Sequence, residues 1–247
     1  MERKDGRAWN ELRNIEMNLD FIKFAQSSVL ISFGDTKVIV SATLEASVPP
    51  FVDSEKSGWL TAEYGLLPAS CGNRIRRPTK GADGRTKEIQ RLIGRSMRAV
   101  TDLTMMPGWT LVLDCDVLQG DGGTRTTSIS GAYVAAYVLF EKKISQGVFQ
   151  TNPLKKQIAA VSCGYTKEGL VLDLCYEEDS QAIIDANVVM TGNSEIVELQ
   201  VSGEKGVITE KQLNDLFLCG KKGITEIIAF QKKTIEDYFS NQERKDV

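Results

Sequence analysis

Hydrophobic and polar positions divide the chain into stretches with two different periods. Residues 28–46, SVLISFGDTKVIVSATLEA, alternate on both sides of FGDT, the two-residue period of a half-buried strand, and predict a hairpin with Gly34 and Asp35 near its turn. Residues 51–85 then run polar with Gly, Pro and basic side chains, which predicts a long, partly ordered connection of the kind that carries function in compact domains. From Arg85 the period lengthens: Ile89, Leu92, Ile93, Met97 and Val100 recur at helical spacing, with Arg91, Arg95 and Arg98 largely on other faces. A buried strand, WTLVLDCDVLQ, follows, then a glycine stretch. Next comes a helix whose Ile129, Ala132, Tyr133, Ala136, Phe140 and Ile144 make an apolar stripe, with small residues suited to close packing on a sheet.

The second half repeats this style. QIAAVSCGY, GLVLDLCY, DANVVMTG and EIVELQVSG read as strands separated by Gly, Asn and Asp turns. The last helix opens with TEKQ, where Thr209 and Gln212 suit a capping box, and carries Leu213, Leu216, Phe217, Ile224, Ile227, Ile228 and Ile235. Gly220 and Gly223 are candidate bends in it. Strands followed by a helix, twice over and with no low-complexity stretch between, predict an α+β fold of pseudo-duplicated strand-helix units in a single domain, rather than a doubly wound sheet.

Composition narrows the chemistry more than the fold. The 247 residues contain no histidine. That excludes Ser-His-Asp and Cys-His nucleophile pairs, His-ligated zinc and imidazole relays, and leaves carboxylates, Arg and Lys, hydroxyls, backbone dipoles and a hard metal. The five cysteines are odd in number and form no C-x-x-C pair, so free thiols are expected rather than a disulfide framework or a zinc site. No run approaches the length of a membrane span and the N-terminus is charged, so neither a membrane segment nor a secretory signal is expected and a cytoplasmic location is.

Charge is unevenly spread. Residues 74–98 hold nine basic side chains (Arg74, Arg76, Arg77, Lys80, Arg85, Lys87, Arg91, Arg95 and Arg98) against two acids, within a chain of net charge -3. A basic segment in an acidic protein is an electrostatic footprint for a polyanion. Downstream, GDGGTRTTS (120–128) sits where the buried strand gives way to a helix. Its glycines let backbone approach a ligand, the first turn of the helix leaves N–H groups unpaired, and Thr124, Thr126 and Arg125 add donors. This is an anion cradle in outline, though not a Walker loop, because the G-K-[ST] ending is missing. Gly84 and Arg85 open the basic helix in the same manner, and two such helix ends would hold an anion better than one.

Carboxylates supply the opposite pole. Asp179 and Asp185 are six apart, a spacing that keeps them on one side of an extended segment, and they flank a turn-prone Asp-Ser. Two acids at strand ends suit hydrated Mg²⁺, which takes one or two carboxylates plus waters and substrate phosphates. A solvated turn is the competing reading of such a pair. Asp114, Asp116 and Asp173, set inside apolar strands, read as structural acids.

The segments ELR, FGDTKVIVSATLE, VPPF, GWLTAEYGLLP, GRTKEIQRLIGRSMRAV, LDCDVLQGDGGTRTTSISGAYVA, TNPLKKQIAAVSCG, LDLCYEEDSQAIIDANVVMTG and VELQVSGE resemble the bacterial ribonuclease PH family, in order and over essentially the whole chain. The resemblance implies a ribosomal-protein-S5-domain-2-like α+β fold and a hexameric ring built as a trimer of dimers. It also implies phosphate-dependent 3'-to-5' trimming of RNA, tRNA precursors and further ribosomal RNA. By position, the family's phosphate-binding residues fall on Arg85, Thr124 and Arg125, its metal-linked acids on Asp179 and Asp185, and its arginines for RNA contact and ring assembly on Arg74 and Arg77. Ala69 stands where the family has arginine after LLP.

The chemistry so implied is attack of inorganic phosphate on the last phosphodiester, releasing a nucleoside diphosphate, with Mg²⁺ as cofactor and no need for histidine. The basic loop and helix, Arg91 included, would follow the RNA backbone without reading sequence. Two alternatives stand beside this. A catalytically silent RNA-binding ring subunit would be expected to lose the phosphate arginines or the acids, which this chain keeps; a hydrolytic metal nuclease would need no phosphate cradle.

Overall fold

The computed structural model describes residues 3–77 and 81–244, so Lys80 of the basic cluster lies outside the described residues. One sheet holds β1 (Ile15–Leu19), β2 (Ser27–Phe33), β3 (Thr36–Glu45), β4 (Trp59–Leu66) and β5 (Thr110–Gln119), in the order β1-β2-β3-β5-β4. Neighbours are antiparallel except β4 and β5, which run parallel. The β2–β3 hairpin closes as its alternation predicts, with Phe33 opposite Thr36 and Gly34 at φ +54°.

β4 corrects the reading of residues 51–85 as a connection. Leu60, Ala62 and Tyr64 point into the core, while Trp59, Thr61, Glu63 and Gly65 lie between them, so apolar residues on both faces mask the alternation. Strand β1 (Ile15–Leu19) is likewise absent from the sequence expectation, and its residues alternate only between exposed and half-buried. A parallel neighbour needs a crossover, and α1 (Gly84–Val100) supplies it by packing on β4 through Ile89, Leu92, Ile93 and Met97.

The second sheet holds β6 (Ile158–Tyr165), β7 (Leu170–Leu172), β8 (Ile184–Thr191) and β9 (Ile196–Ser202) in the order β7-β6-β8-β9, all antiparallel. Between the sheets runs α2 (Thr124–Ser145), which touches β2, β3 and β5 of the first and β6 and β8 of the second. Its apolar stripe is therefore not the whole of its buried surface: Thr126 to Ala136 are buried without interruption, as a helix packed on two sides requires. At Gly131 a Cβ would come within 2.8 Å of Ile31 Cγ2, so glycine sets how closely α2 approaches the first sheet.

The last helix, α4 (Glu210–Glu243), covers β6, β7 and β8 and starts with the expected Thr209–Gln212 capping box. It runs as one uninterrupted helix through Gly220 and Gly223. A Cβ at Gly220 would lie 2.6 Å from Val188 Cγ2, and these glycines serve close approach to the sheet. All five cysteines are free.

GLVLDLCY and DSQAIID also depart from the sequence expectation. β7 stops after Leu172, Asp173 adopts φ +53°, and a short helix, α3 (Tyr176–Gln181), precedes β8. Asp179 stands on α3 and Asp185 on β8, so the two acids are not on one extended segment. The cause is Asp173. Its buried carboxylate receives Arg13 through both Nη2 (2.7 Å) and Nε (3.0 Å), and also the Arg13 backbone N–H (2.8 Å). Arg13 then donates through Nη1 to the Asp121 carbonyl at 2.6 Å, and Thr36 donates its hydroxyl to the Gly122 carbonyl at 2.7 Å. The expectation that Asp173 is a structural acid holds, and its partner ties the start of the chain to the glycine turn. Arg3 adds a second tie, an ion pair to Glu178 of α3 at 2.6 Å.

Removing one member of a buried pair strands the other charge, at about 3–5 kcal/mol. Arg7 Nη1 also stands 3.6 Å from Asp173 Oδ2 and shields the stranded carboxylate in part, so Arg13→Met is expected to lower unfolding stability by about 3 kcal/mol, the lower end of that range. Arg13→Met with Asp173→Asn is expected to recover at least half the loss, since no lone charge then remains. Chemical denaturation of the two variants beside the parent measures both.

Candidate active site

The glycine turn is the first wall of the site. Gly122 and Gly123 have φ +75° and +65°, and a Cβ on Gly122 would lie 2.6 Å from the Leu174 carbonyl oxygen. Only glycine fits such a crowded, left-handed position. Gly123 is the N-cap of α2 and has no side chain to offer. The first intrahelical bond at this end runs from the Thr127 N–H to the Gly123 carbonyl, 2.9 Å, so the N–H groups before Thr127 have no partner within the helix. The positive end of a 22-residue helix is thus left open.

α1 does not repeat this arrangement. Its N-cap, Asp83, already accepts from the Thr86 N–H at 2.7 Å, so a carboxylate of the chain itself occupies that helix end. The expected pair of helix ends without a side-chain cap reduces to one, and α1 reaches the site through the side chains of Arg85 and Glu88.

Arg85 and Arg125 line a cavity of about 500 Å³ together with Glu88, Asp179, Ser180, Ala182, Asp185, Glu204 and Lys205. Four of the sequence-predicted site residues are therefore in one place, drawn from α1, α2, α3 and β8. Arg125 donates through Nη1 to Glu88 Oε1 at 3.2 Å and to Gln200 Oε1 at 3.3 Å. Thr124 is not on the cavity wall. Its hydroxyl meets the Tyr64 hydroxyl at 2.8 Å, joining β4 to the first turn of α2. Burial pushes the Tyr64 phenol up, against the pull of Arg85 and Arg125.

The remaining predicted residues lie elsewhere. Arg74 and Arg77 are exposed in the connection between β4 and α1, and Arg91 is exposed on α1; none lines the cavity. That connection is anchored at its root, where Gly120 N–H donates to the Ser70 carbonyl at 2.8 Å. Arg95 pairs with Glu198 of β9 at 2.5 Å, and Arg98 donates to the Leu60 carbonyl while lying over the Trp59 ring. Part of the basic helix face is thereby committed to packing.

The two acids are held in an unfavourable setting. Desolvation pushes the Asp179 carboxyl above its ordinary range, opposed by Arg125 and Arg85. Desolvation pushes Asp185 up as well, followed by repulsion from Asp179 and Glu204. Asp185 Oδ1 is buried without any hydrogen-bond partner among the described residues. An orphaned carboxylate oxygen beside a second carboxylate is a donor set that fits a hard divalent cation. No group of three acidic, His or Cys side chains suited to a metal occurs among the described residues. The remaining ligands of a bound Mg²⁺ would then be water and phosphate oxygens, its usual preference.

Sequence reasoning missed Tyr64, Gln200, Glu204 and Lys205. Tyr64 and Gln200 had a signal, since each lies on a strand face, but the first strand was unread and the second gave no reason to single out one amide.

A profile of the 3' exoribonuclease family matches this chain in two parts, domain 1 over residues 11–138 and domain 2 over residues 156–223. Ribonuclease PH of Bacillus subtilis (strain 168) is 50% identical over 238 residues, covering 95% of this chain and 97% of that relative. Ribonuclease PH of Bacillus cereus (strain G9842) is 49% identical over 244 residues, covering 98% and 100%. Among solved structures, rice Rrp46 superposes with a TM-score of 0.77 at 20% identity, over 94% of this chain and 100% of that one. A chain of the Archaeoglobus fulgidus exosome with RNA bound to the active site superposes at 0.74 and 22% identity, over 96% and 92%. These likenesses give the fold, a mixed α+β arrangement consistent with the S5-domain-2-like class.

The strained acid predicts a trade of stability for chemistry. Asp185→Asn removes a buried charge and its repulsion, and is expected to raise the thermal midpoint of chelator-treated protein at neutral pH by about 2–4 °C, on the order of 1 kcal/mol for a chain of this size. Because the folded pKa of Asp185 is raised, the penalty on the parent is complete above that raised value, declines below it and vanishes below the ordinary carboxylate range. The advantage of the variant is expected to shrink as pH falls through that raised value, which calorimetry across a pH series checks.

Proposed function

Since the chain belongs to the 3' exoribonuclease family and, within it, to the bacterial ribonucleases PH, which shorten RNA phosphorolytically from the 3' end, we propose that the cavity between α1, α2, α3 and β8 is where inorganic phosphate attacks the last phosphodiester. The enzyme is a nucleotidyltransferase that releases nucleoside diphosphates. One observation supports this placement above others: two arginines and two strained acids share one cavity, and one of the arginines enters it from the first turn of a helix with no side-chain cap.

The problem the site has to solve is electrostatic. Phosphate and phosphodiester repel, by about 1 kcal/mol per unit-charge pair at roughly 4 Å in water and roughly 4 kcal/mol at an effective dielectric near 20. Arg85, Arg125 and the open N–H groups of α2 offset this repulsion and hold the attacking oxygen in line. Thr124 fixes the first turn of that helix through Tyr64. Asp179 and Asp185 would hold Mg²⁺, which when bound neutralises charge on the scissile phosphate and the departing 3' oxygen. Arg74, Arg77 and Arg91 lie outside the cavity and suit the backbone of the incoming single strand, with charge but no base reading.

The same reading extends to assembly and setting. α2 packs on strands of both sheets, which supports a single folded unit over residues 1–247. A homohexameric ring, a trimer of dimers, would gather several basic connections around the RNA. Among the described residues no helix is long and apolar enough to cross a membrane, which accords with a cytoplasmic enzyme acting on tRNA precursors. The catalytically silent ring subunit is the weaker reading, because Arg85, Arg125, Asp179 and Asp185 are all kept together.

Purified protein with Mg²⁺ and a 3'-extended tRNA is expected to shorten the RNA only when phosphate is present and to release nucleoside diphosphates. Monophosphates, or shortening without phosphate, would refute phosphorolysis, and binding without turnover would favour the silent subunit. Arg125→Ala is expected to raise the phosphate concentration needed for half-maximal rate at least about tenfold, as loss of a charge-assisted contact implies. Asp185→Asn is expected to abolish turnover while RNA binding persists.

A further inference from the structure

Arg125 enters the cavity from the first turn of α2 with five N–H donors in a rigid fork. A single nitrogen, Nη1, takes both protein acceptors, Glu88 Oε1 at 3.2 Å and Gln200 Oε1 at 3.3 Å. Among the described residues, Nε and Nη2 meet no acceptor. The Nε/Nη2 edge is one that can give two parallel N–H bonds to a single oxyanion. A guanidinium held by Nη1 therefore keeps a bidentate edge free.

The two holders are unequal. Glu88 is a carboxylate on α1 whose side chain is 48% exposed, so its attraction for Arg125 is screened and weak. Gln200 is set by sheet register. On β9 it faces Asn187 of β8, and Ser202 faces Asp185, so Gln200 and Asp185 share a face one residue pair apart. Its amide is neutral and accepts from the arginine without cancelling the charge an anion would need.

We propose that Gln200 is a positioning residue for phosphorolysis: it anchors Arg125 through Nη1 so that the Nε/Nη2 edge faces the attacking phosphate at a spacing from Asp185 fixed by the β8–β9 ladder. This rests on the phosphorolytic reading of the cavity. It adds a residue that touches neither RNA nor phosphate and acts on affinity for one substrate alone.

Gln200→Met keeps similar length and removes the acceptor. Steady-state phosphorolysis is expected to show a phosphate KM raised about 3–10-fold, with kcat at saturating phosphate and the KM for RNA within about twofold of the parent. Gln200→Glu restores an acceptor but adds a charge that competes for the guanidinium, and is expected to raise the phosphate KM further. An unchanged phosphate KM in Gln200→Met overturns the proposal, as does a loss confined to kcat. Should the methionine variant fail to fold, Gln200→Ala carries the same expectation. If the parent protein itself cleaves without phosphate, the functional reading fails; if the parent is phosphate-dependent and the variant binds phosphate normally, only the role of Gln200 does.

Discussion

The site depends on one buried ion pair that takes no part in the chemistry. Arg13 and Asp173 stand 160 residues apart, and the guanidinium that satisfies the carboxylate also holds the carbonyl of Asp121. That hold, together with the bonds Thr36 makes to Asp121 and Gly122, keeps two consecutive left-handed residues against the Leu174 carbonyl. The turn, in turn, leaves the end of α2 uncapped. A chain that simply wanted a stable helix would place Ser, Thr or Asp there, as α1 does with Asp83. The contrast between the two helix starts separates a helix end used for stability from one kept open for an anion.

The cavity beyond the turn is built from conflict. Two carboxyls are driven toward their neutral forms by desolvation and repulsion between acids, and one of their oxygens has no partner among the described residues. Folding tolerates this because the surrounding layers, with α2 wedged between two sheets, bury enough apolar surface to offset it. The arginines opposite relieve part of the strain, and what remains is the attraction that a cation and a pair of phosphates can exploit.

Much of this architecture is legible in the sequence, for reasons that differ by element. The β2–β3 hairpin, α1, β5 and the capped start of α4 follow from local period and cap chemistry. β4 is hidden because its solvent face carries Trp59, and α3 because Asp173 turns the chain out of β7 through a contact with residue 13 that no window could contain. The two acids come together because a helix meets a strand, not because of even spacing along one strand. Residue types and motif order named Arg85, Arg125, Asp179 and Asp185, but not Gln200, whose meaning exists only once β9 is paired with β8. Cap geometry at Asp83 was equally unreadable as a limit on α1.

The tie between the first and last thirds of the chain also orders events in time. Residue 13 emerges early in synthesis and residue 173 much later, a wait on the order of ten seconds at usual elongation rates. Through that interval the hairpin and α1 can form, but Arg13 lacks the carboxylate that fixes it and neither cavity acid has been made. The proposed phosphate site is therefore completed only once the second sheet has been made, rather than accumulating as the protein grows.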